Sequence, residues 1–380
     1  MWAGSGLLVG FAILLYSLVC YPLLLAVWKR RAAPVRKDMA FRATVTTLLA
    51  VHDGEQFIRA KLESLLALRY PAELLDILVV SDGSTDGTDA IVESFANRGV
   101  RLLRVPRGGK AAALNAGLER ATGEILFLTD VRQPLDPDAL AHLVANFADP
   151  GVGVVTGELR ILGDNSTGEQ HDLGLYWRYE LWARRRHSEI DSTFVATGCI
   201  YAIRRSLASP LAVDTLADDA VMALRAFFRG RRVIFDPQAI AFDYPPAEGV
   251  EFRRRLRTLA GLWQVCIRMP ELFTSANRMR LHFLSHKASR LAMPWAILLI
   301  GVATLMLHPS PLRRFLLIAE WAVAVFALVD TVLPRWFPLK RVTSPARTFL
   351  SMNAAALLST MVFFVQPATL WRTTRVKVRP

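Results

Sequence analysis

Residues 79–88, read V-V-S-D-G-S-T-D-G-T, place a carboxylate, two glycines and small hydroxyls directly after an apolar run. That run, residues 75–80, is rich in bulky aliphatic side chains, which predicts a buried strand. Ligands of open α/β sheets bind outside the carboxyl ends of the strands, where Asp82 would lie. Its carboxylate can accept hydrogen bonds from a base or a ribose, and Gly83 lets the backbone approach a ligand. A strand, a turn and a helix N-cap without a ligand are the alternative.

A second candidate is formed by Gly108 and Gly109, which precede Lys110 at the start of a helix-like stretch. Backbone N–H groups at a helix start, together with an ammonium group, favour the binding of an anion such as a phosphate. The stretch is not a Walker A loop, because the glycine spacing and the Ser/Thr after the lysine are absent. A capped surface helix that binds nothing is the alternative.

Further acids stand at the ends of predicted elements. Asp130 closes an apolar run that predicts another strand, and Asp53 follows the first predicted strand. Asp53 is as consistent with a helix N-cap as with a place near a nucleotide base. Asp218 and Asp219 open a predicted helix, where the helix dipole alone also favours acids.

In this order the segments resemble the inverting family 2 glycosyltransferases with a GT-A fold, over residues 43–287. The first stretch is similar to their nucleotide-sugar motif V-V-x-D-G-S-x-D-x-T, and residues 109–115 to G-K-x-x-A-L-N. Residues 197–205 are similar to T-G-x-x-x-x-x-R-R on the acceptor side. Residues 217–219 stand where the family has T-E-D or E-D, whose last Asp is the catalytic base.

The resemblance implies a role for each matching position. Nucleotide-sugar binding is implied for Asp82, Lys110, Asn115 and Asp53; Mg²⁺ or Mn²⁺ binding for Asp130; general-base catalysis for Asp219; and acceptor binding for Asp218 and Trp263. A cation can neutralise the charge that develops on a nucleoside diphosphate, so that one base suffices and no separate acid is required. Glycosidases need a pair of carboxyl groups instead.

Two motifs depart from the family pattern. The metal motif D-x-D reads Asp130-Val131-Arg132, so one carboxylate remains, and Arg132 is itself of a kind that can face phosphate. The Q-x-x-R-W motif of processive synthases reads L-A-G-L-W at residues 259–263, and only the tryptophan matches. This weakens the prediction of a processive polymerase. Trp263 could stack on an acceptor sugar or anchor a helix at the membrane interface.

The elements that must position these residues are strands predicted at 45–51, 75–80, 100–105, 123–130 and 152–159, with helices between them. Alternation of strands and helices predicts an α/β fold, and the resemblance specifies a Rossmann-like GT-A domain. We predict this domain over residues 29–250, followed by amphipathic interface helices at 251–290.

The composition places this domain between membrane segments. Hydrophobic residues make up 53% of the 380 residues, above the soluble norm of about 45–50%, and the excess lies near the two ends. The net charge of +13 is concentrated beside apolar runs, which favours contact with membrane lipids over nucleic acid. The three cysteines show no disulfide or zinc spacing.

Residues 1–28 carry no charge, and a basic cluster follows them, which predicts an uncleaved transmembrane helix rather than a signal peptide. Apolar runs at 291–307, 315–333 and 348–370 predict about three further helices within residues 291–371. The positive-inside rule then predicts a multi-pass cell (inner) membrane protein with a cytoplasmic catalytic domain. Four spans put the basic tail, residues 372–380, outside, whereas its charge favours the inside; a re-entrant segment would reconcile the two.

The predicted function is therefore inverting transfer of a sugar from a nucleotide-sugar, with UDP favoured, to a lipid-linked or growing polysaccharide acceptor. Two other functions stay open at this stage. One is the charging of a polyprenyl phosphate with a single sugar, and the other is a membrane scaffold without enzymatic activity.

Overall fold

The computed structural model describes residues 2–29, 32–162, 169–243, 250–334 and 336–365. The predicted basic tail and residues 366–370 of the last apolar run lie outside the described residues. The strands are β1 (Val45–Val51), β2 (Leu75–Asp82), β3 (Val100–Val105), β4 (Ile125–Leu128), β5 (Val152–Ile161), β6 (Tyr201–Arg204) and β7 (Arg232–Asp243). The helices are α1 (Trp2–Leu15), α2 (Tyr21–Val27), α3 (Glu55–Leu66), α4 (Thr88–Glu93), α5 (Lys110–Arg120), α6 (Ala139–Ala145), α7 (Glu169–Ile190), α8 (Asp218–Phe228), α9 (Val250–Arg268), α10 (Arg280–Phe283), α11 (Ser289–Met306), α12 (Pro311–Val332) and α13 (Lys340–Leu358).

The chain forms two compact units. The sheet unit contains residues 29–162 and 184–245, and the helical unit contains residues 1–28, 163–183 and 246–380. The sequence assigns residues 29–250 to one domain, whereas here residues 163–183 group with the helical unit. Contacts within that unit explain the difference, because Glu180 of α7 is buried and pairs with Lys287 at 2.8 Å.

The sheet unit is built on one mixed sheet of seven strands in the order β3-β2-β1-β4-β6-β5-β7. β6 runs antiparallel to both of its neighbours, and the other pairings are parallel. Parallel strands covered by helices on both faces are apolar along their whole length, and β1 is buried at all but one position. This sheet confirms the predicted α/β, Rossmann-like GT-A fold.

Five strands were predictable because each is an apolar run bounded by turn residues. β1 and β3 have the predicted bounds, while β2 extends to Asp82 and β5 to Ile161. β6 and β7 were not predicted as strands: β6 has four residues, and β7 contains charged residues and Pro237. Their assignment depends on pairing with β4 and β5, which local sequence does not encode.

In the part of the chain that the structure describes, three helical stretches are long and apolar enough to cross a membrane. They are Trp2–Val27, Arg280–Met306 and Pro311–Val332. α13 occupies part of the third predicted C-terminal run and is not among them. The predicted boundaries of the interface helices and of the last membrane helices stay predictions.

Close helix packing within the helical unit depends on small residues. A Cβ at Gly10 of α1 would lie 2.5 Å from Ile300 Cγ1 of α11, so glycine permits this approach. Asp330 of α12 is buried and accepts hydrogen bonds from the hydroxyls of Thr343 and Ser344 of α13, each at 2.8 Å. An acid in an apolar segment is energetically costly unless its carboxylate has hydrogen-bond partners, and these contacts provide them.

Candidate active site

Asp82, the last residue of β2, holds the glycine loop that precedes α5. Its Oδ1 accepts hydrogen bonds from the backbone N–H groups of Gly108, at 2.7 Å, and Gly109, at 3.1 Å. Arg107 forms an ion pair with its Oδ2. The side chain is almost fully buried, and Gly109 has a φ of +87°, which favours glycine. The carboxylate therefore sets the position at which Lys110 enters α5.

Asp53 connects the loop after β1 to the loop after β2. Its Oδ1 accepts a hydrogen bond from the backbone N–H of Thr85 at 2.8 Å, and its own N–H donates to Ser84 Oγ at 3.2 Å. The N-cap of α3 is Gly54, so the N-cap alternative for Asp53 does not hold. Asp53 has a φ of +47°, a strained conformation that the two hydrogen bonds support. A role at the base stays a prediction.

Lys110 joins the acids that the sequence placed far apart. Its Nζ lies 2.9 Å from Asp130 Oδ1, just beyond β4, and 3.3 Å from Asp218 Oδ2, at the start of α8. Burial would lower the pKa of Lys110, but the charges of Asp130 and Asp218 outweigh it and raise the pKa. The lysine is therefore a fixed cation between two carboxylates.

Asp219, the second residue of α8, stands beside this cluster. A Cβ at Gly198 would lie 3.3 Å from its Oδ2, so the 197–200 segment passes close to the carboxylate. Burial, followed by the charge of Asp218, raises the pKa of Asp219 to about 6, and Lys110 partly opposes the shift. A carboxylate with this pKa is a stronger base than an ordinary aspartate and is ionised at neutral pH.

The predicted donor-binding residue Asn115 makes two hydrogen bonds to the backbone of Leu211. Its side-chain amide donates to the Leu211 carbonyl at 2.8 Å, and its Oδ1 accepts from the Leu211 N–H at 2.7 Å. Asn115 thus fixes the segment that leads toward α8. Direct contact with a donor stays a prediction.

Arg132, which the sequence suggested as a residue that can face phosphate, is paired with an acid of the sheet unit. Its guanidinium makes two hydrogen bonds to Asp243 at the end of β7, at 3.1 and 2.6 Å. Gln133 donates to the same carboxylate at 3.0 Å. The cation that replaces the second acid of the metal motif is therefore engaged in a bidentate ion pair.

Among the described residues, no group of three or more His, Cys, Asp or Glu side chains is placed to hold a metal ion. Magnesium is commonly held by one or two carboxylates together with substrate phosphates. The partly exposed carboxylate of Asp130 suits an ion of this kind that binds with a diphosphate. The donor set fits the predicted Mg²⁺ or Mn²⁺ on this basis.

Lys61 of α3 is a site residue that the sequence reasoning missed. Its ammonium is buried and donates to Thr129 Oγ1 at 2.7 Å and to the carbonyl of Gln133, on either side of Asp130. Burial, the main influence, lowers the pKa of Lys61 to about 7. One signal was available, because Lys61 falls on the apolar face of α3 beside Ile58 and Leu65.

Trp263 lies in α9 of the helical unit, whereas the residues above belong to the sheet unit. Its ring packs edge-to-face against Phe363, with ring centroids 5.4 Å apart. An acceptor contact through this side chain stays a prediction.

Two family models match the chain. Glycosyl transferase family 2 matches residues 46–211, and glycosyl transferase family group 2 matches residues 130–365. The second match covers more than half of the chain, and both include Asp130.

Curated relatives include the probable glycosyltransferase YdaM of Bacillus subtilis, which is 26% identical over 67% of this chain and 64% of its own length. The poly-beta-1,6-N-acetyl-D-glucosamine synthase of Staphylococcus aureus is 26% identical over 59% of this chain and 53% of its own length. The chain thus matches between about half and two thirds of the length of these relatives.

A solved structure is similar over nearly the whole chain. It is the mannosyltransferase PcManGT from Pyrobaculum calidifontis in complex with GDP-Man and Mn²⁺. The TM-score is 0.72 and the identity 25%, with 95% of this chain and 97% of that chain covered.

Proposed function

Because this chain belongs to glycosyl transferase family group 2 and is a family 2 glycosyltransferase, we propose that it transfers a sugar from a nucleotide-sugar to a lipid-linked or polysaccharide acceptor with inversion. The observation that carries the proposal is the convergence of Lys110, Asp130, Asp218 and Asp219 at one edge of the sheet. A direct displacement on an activated sugar requires a cation, a carboxylate that can bind a metal ion and a carboxylate that can act as a general base.

The proposed reaction is a single displacement. The Asp219 carboxylate accepts the proton of the acceptor hydroxyl while the hydroxyl oxygen forms a bond to the anomeric carbon. The bond from this carbon to the diphosphate oxygen breaks, and its electron pair leaves with the nucleoside diphosphate. Attack opposite the leaving group inverts the configuration.

In this proposal Lys110 stabilises the leaving group directly, and Asp82 positions Lys110. The Lys110 ammonium stays charged and can face developing negative charge on the diphosphate. Asp82 positions this lysine through the Gly108–Gly109 backbone. A divalent ion bound by Asp130 would supply electrostatic stabilisation of the diphosphate.

We propose that the enzyme is a multi-pass membrane protein with its catalytic domain in the cytoplasm. The three helices of sufficient length and apolar composition support the membrane assignment. The basic residues that follow the first of them, beginning with Lys29, support the cytoplasmic side.

For the donor, the relatives support different sugars. PcManGT was solved with GDP-Man, and the staphylococcal relative is an N-acetylglucosamine polymer synthase. We retain the UDP-sugar as the first proposal, and GDP-mannose is the second donor to test.

The test is a panel of UDP- and GDP-sugars incubated with membranes that contain the full chain, with Mg²⁺ or Mn²⁺. Nucleoside diphosphate release is measured for the wild type and for Asp130→Ala and Asp219→Ala. We expect release from one donor that both variants reduce strongly. No release from any donor would contradict the proposal and favour a scaffold without enzymatic activity.

Charging of a polyprenyl phosphate is the second candidate, and the same assay separates it. A phosphate acceptor is already anionic and needs no strong base, so Asp219→Asn would retain substantial activity in that case. Product length on a gel distinguishes single addition from a processive synthase.

A further inference from the structure

The ammonium of Lys110 is held between two carboxylates that come from different elements. Its Nζ lies 2.9 Å from Oδ1 of Asp130, in the turn after β4, and 3.3 Å from Oδ2 of Asp218, at the start of α8. The Asp218 oxygen is buried and makes no hydrogen bond, so the ammonium is the cation that compensates it. Asp82 fixes the backbone just before Lys110, so the lysine reaches this position from a fixed point.

The oxygen of Asp130 that contacts Lys110 is also the kind of ligand that a divalent ion needs. Mg²⁺ binds carboxylate oxygens at about 2.0–2.1 Å. Because the Nζ lies 2.9 Å from this oxygen, an ion bound to it would lie at most about 5 Å from the ammonium. Like charges at this separation repel strongly at a partly buried site. Lys110 and the ion cannot both hold this oxygen without that repulsion.

The rest of the metal motif does little to offset this repulsion. Where the family motif has a second acid, this chain has Arg132, whose guanidinium is paired with Asp243. One carboxylate with an ammonium beside it is a weak site for a divalent ion, which needs several oxygen ligands. A diphosphate supplies further oxygen ligands for the ion, and it also offers the ammonium another anionic partner.

We propose that Lys110 competes with the divalent ion for Asp130, so that the enzyme binds the ion only together with the nucleoside diphosphate. The ammonium turns from Asp130 to the diphosphate oxygens, and the carboxylate becomes available to the ion. Lys110 thus sets the order of binding in addition to stabilising the leaving group. This inference rests on the proposed function and specifies how the donor and the ion are bound.

The test measures Mn²⁺ binding directly and needs no turnover. Mn²⁺ is titrated into the full chain in detergent, with and without UDP or GDP, and free Mn²⁺ is followed by electron paramagnetic resonance. Titrations of each nucleotide without protein are subtracted. In the wild type we expect a Kd for Mn²⁺ that falls at least about tenfold when the matching nucleotide is present.

Lys110→Met keeps the side-chain length and removes the competing charge. Without nucleotide it should bind Mn²⁺ about 10- to 100-fold more tightly than the wild type. Adding Asp130→Ala to this variant should abolish the gain, which assigns the gain to Asp130. Lys110→Arg, which keeps the charge, should retain the wild-type Kd. Arg120→Met is the matched control, because Arg120 is an exposed cation at the other end of α5, and it should also leave the Kd unchanged.

The inference is overturned if the wild type binds Mn²⁺ equally well with and without nucleotide, or if Lys110→Met does not tighten Mn²⁺ binding. It is also overturned if Arg120→Met tightens binding as much, or if the gain survives Asp130→Ala. The wild-type comparison needs no variant, so it decides the inference even if Lys110→Met does not fold. A wild type that releases nucleoside diphosphate from no donor is a different result, which overturns the proposed function itself.

Discussion

At the scale of single residues, the environment of Asp219 gives it a chemistry that its neighbour does not share. Both acids open α8, yet Asp218 faces the ammonium of Lys110 while Asp219 lies against the 197–200 segment. Two adjacent carboxylates with different partners can take different roles, one as a binding group and one as a base.

We predict that Asp219→Asn lowers kcat about 100- to 10,000-fold, because an amide cannot accept the proton of the acceptor hydroxyl. Nucleotide affinity should stay close to that of the wild type. Transfer assays and equilibrium nucleotide binding measure the two effects. Asp214→Asn, an exposed position in the preceding segment, is the control and should retain activity. Substantial activity in Asp219→Asn would favour the phosphate acceptor.

The raised pKa of Asp219 predicts an acid limb in the pH profile. The base acts as the carboxylate, so activity should be full well above pH 6 and should fall about tenfold per unit below it. Asp218→Asn removes a neighbouring negative charge and should move this limb to lower pH. A profile of kcat/KM from pH 4.5 to 8.5 measures both. A limb that stays in place in Asp218→Asn would argue against the assignment.

At the scale of elements, a buried lysine in the middle of α3 joins this helix to the turn that follows β4. Lys61 bonds to Thr129 and Gln133, and so fixes the turn that carries Asp130. Thr129 in turn donates to the carbonyl of Cys199 at 2.7 Å. The carboxylate of Asp130 is therefore positioned by the hydrogen bonds of Lys61 and Thr129 as well as by its own contacts.

We predict that Lys61→Met, which keeps the side-chain length and removes the ammonium, lowers kcat/KM for transfer about tenfold or more. The reason is that the Asp130 turn loses two hydrogen bonds, and small misplacements of a reacting group are costly. The concentration of Mn²⁺ for half-maximal activity should rise in the same titration. Arg59→Met, at an exposed position of the same helix, should leave both values unchanged. Equal effects of the two substitutions would contradict the positioning role.

The sequence predicted those parts of the site in which one residue both follows an apolar run and matches a motif. Asp82 ends β2, Asp130 follows β4 and Asp219 lies at the start of α8, so the sequence placed each of the three at the end of its element. Arg107 and Asp243 were not predicted, because their roles come from Asp82 and Arg132, partners that are distant in the chain. β6 was missed for the same reason, since its pairing with β4 makes it a strand.

At the scale of the whole molecule, the chain combines a sheet unit that carries the candidate site with a helical unit that has three stretches able to span a membrane. The surface of these stretches exposes large apolar side chains, among them Trp2, Trp295 and Trp321. In water such a surface favours association, and in a bilayer it is solvated by lipid. Assays on the full chain therefore require detergent or membranes.

We predict that EDTA abolishes nucleoside diphosphate release by these membranes, and that Mn²⁺ or Mg²⁺ restores it. A divalent ion offsets charge on the diphosphate, and Asp130 provides a carboxylate ligand for it. EDTA saturated with Mg²⁺ is the control and should not inhibit. Full activity after chelation would show that Lys110 alone is sufficient for the leaving group.

The ammonium of Lys110 pairs with Asp130 and Asp218 when no substrate is present. Because these two acids already have a cation beside them, the folded state of the resting enzyme should not depend on an imported ion. Chelators should then abolish turnover while the unfolding temperature stays constant. Adding the ion back should restore activity at once, without a delay for refolding.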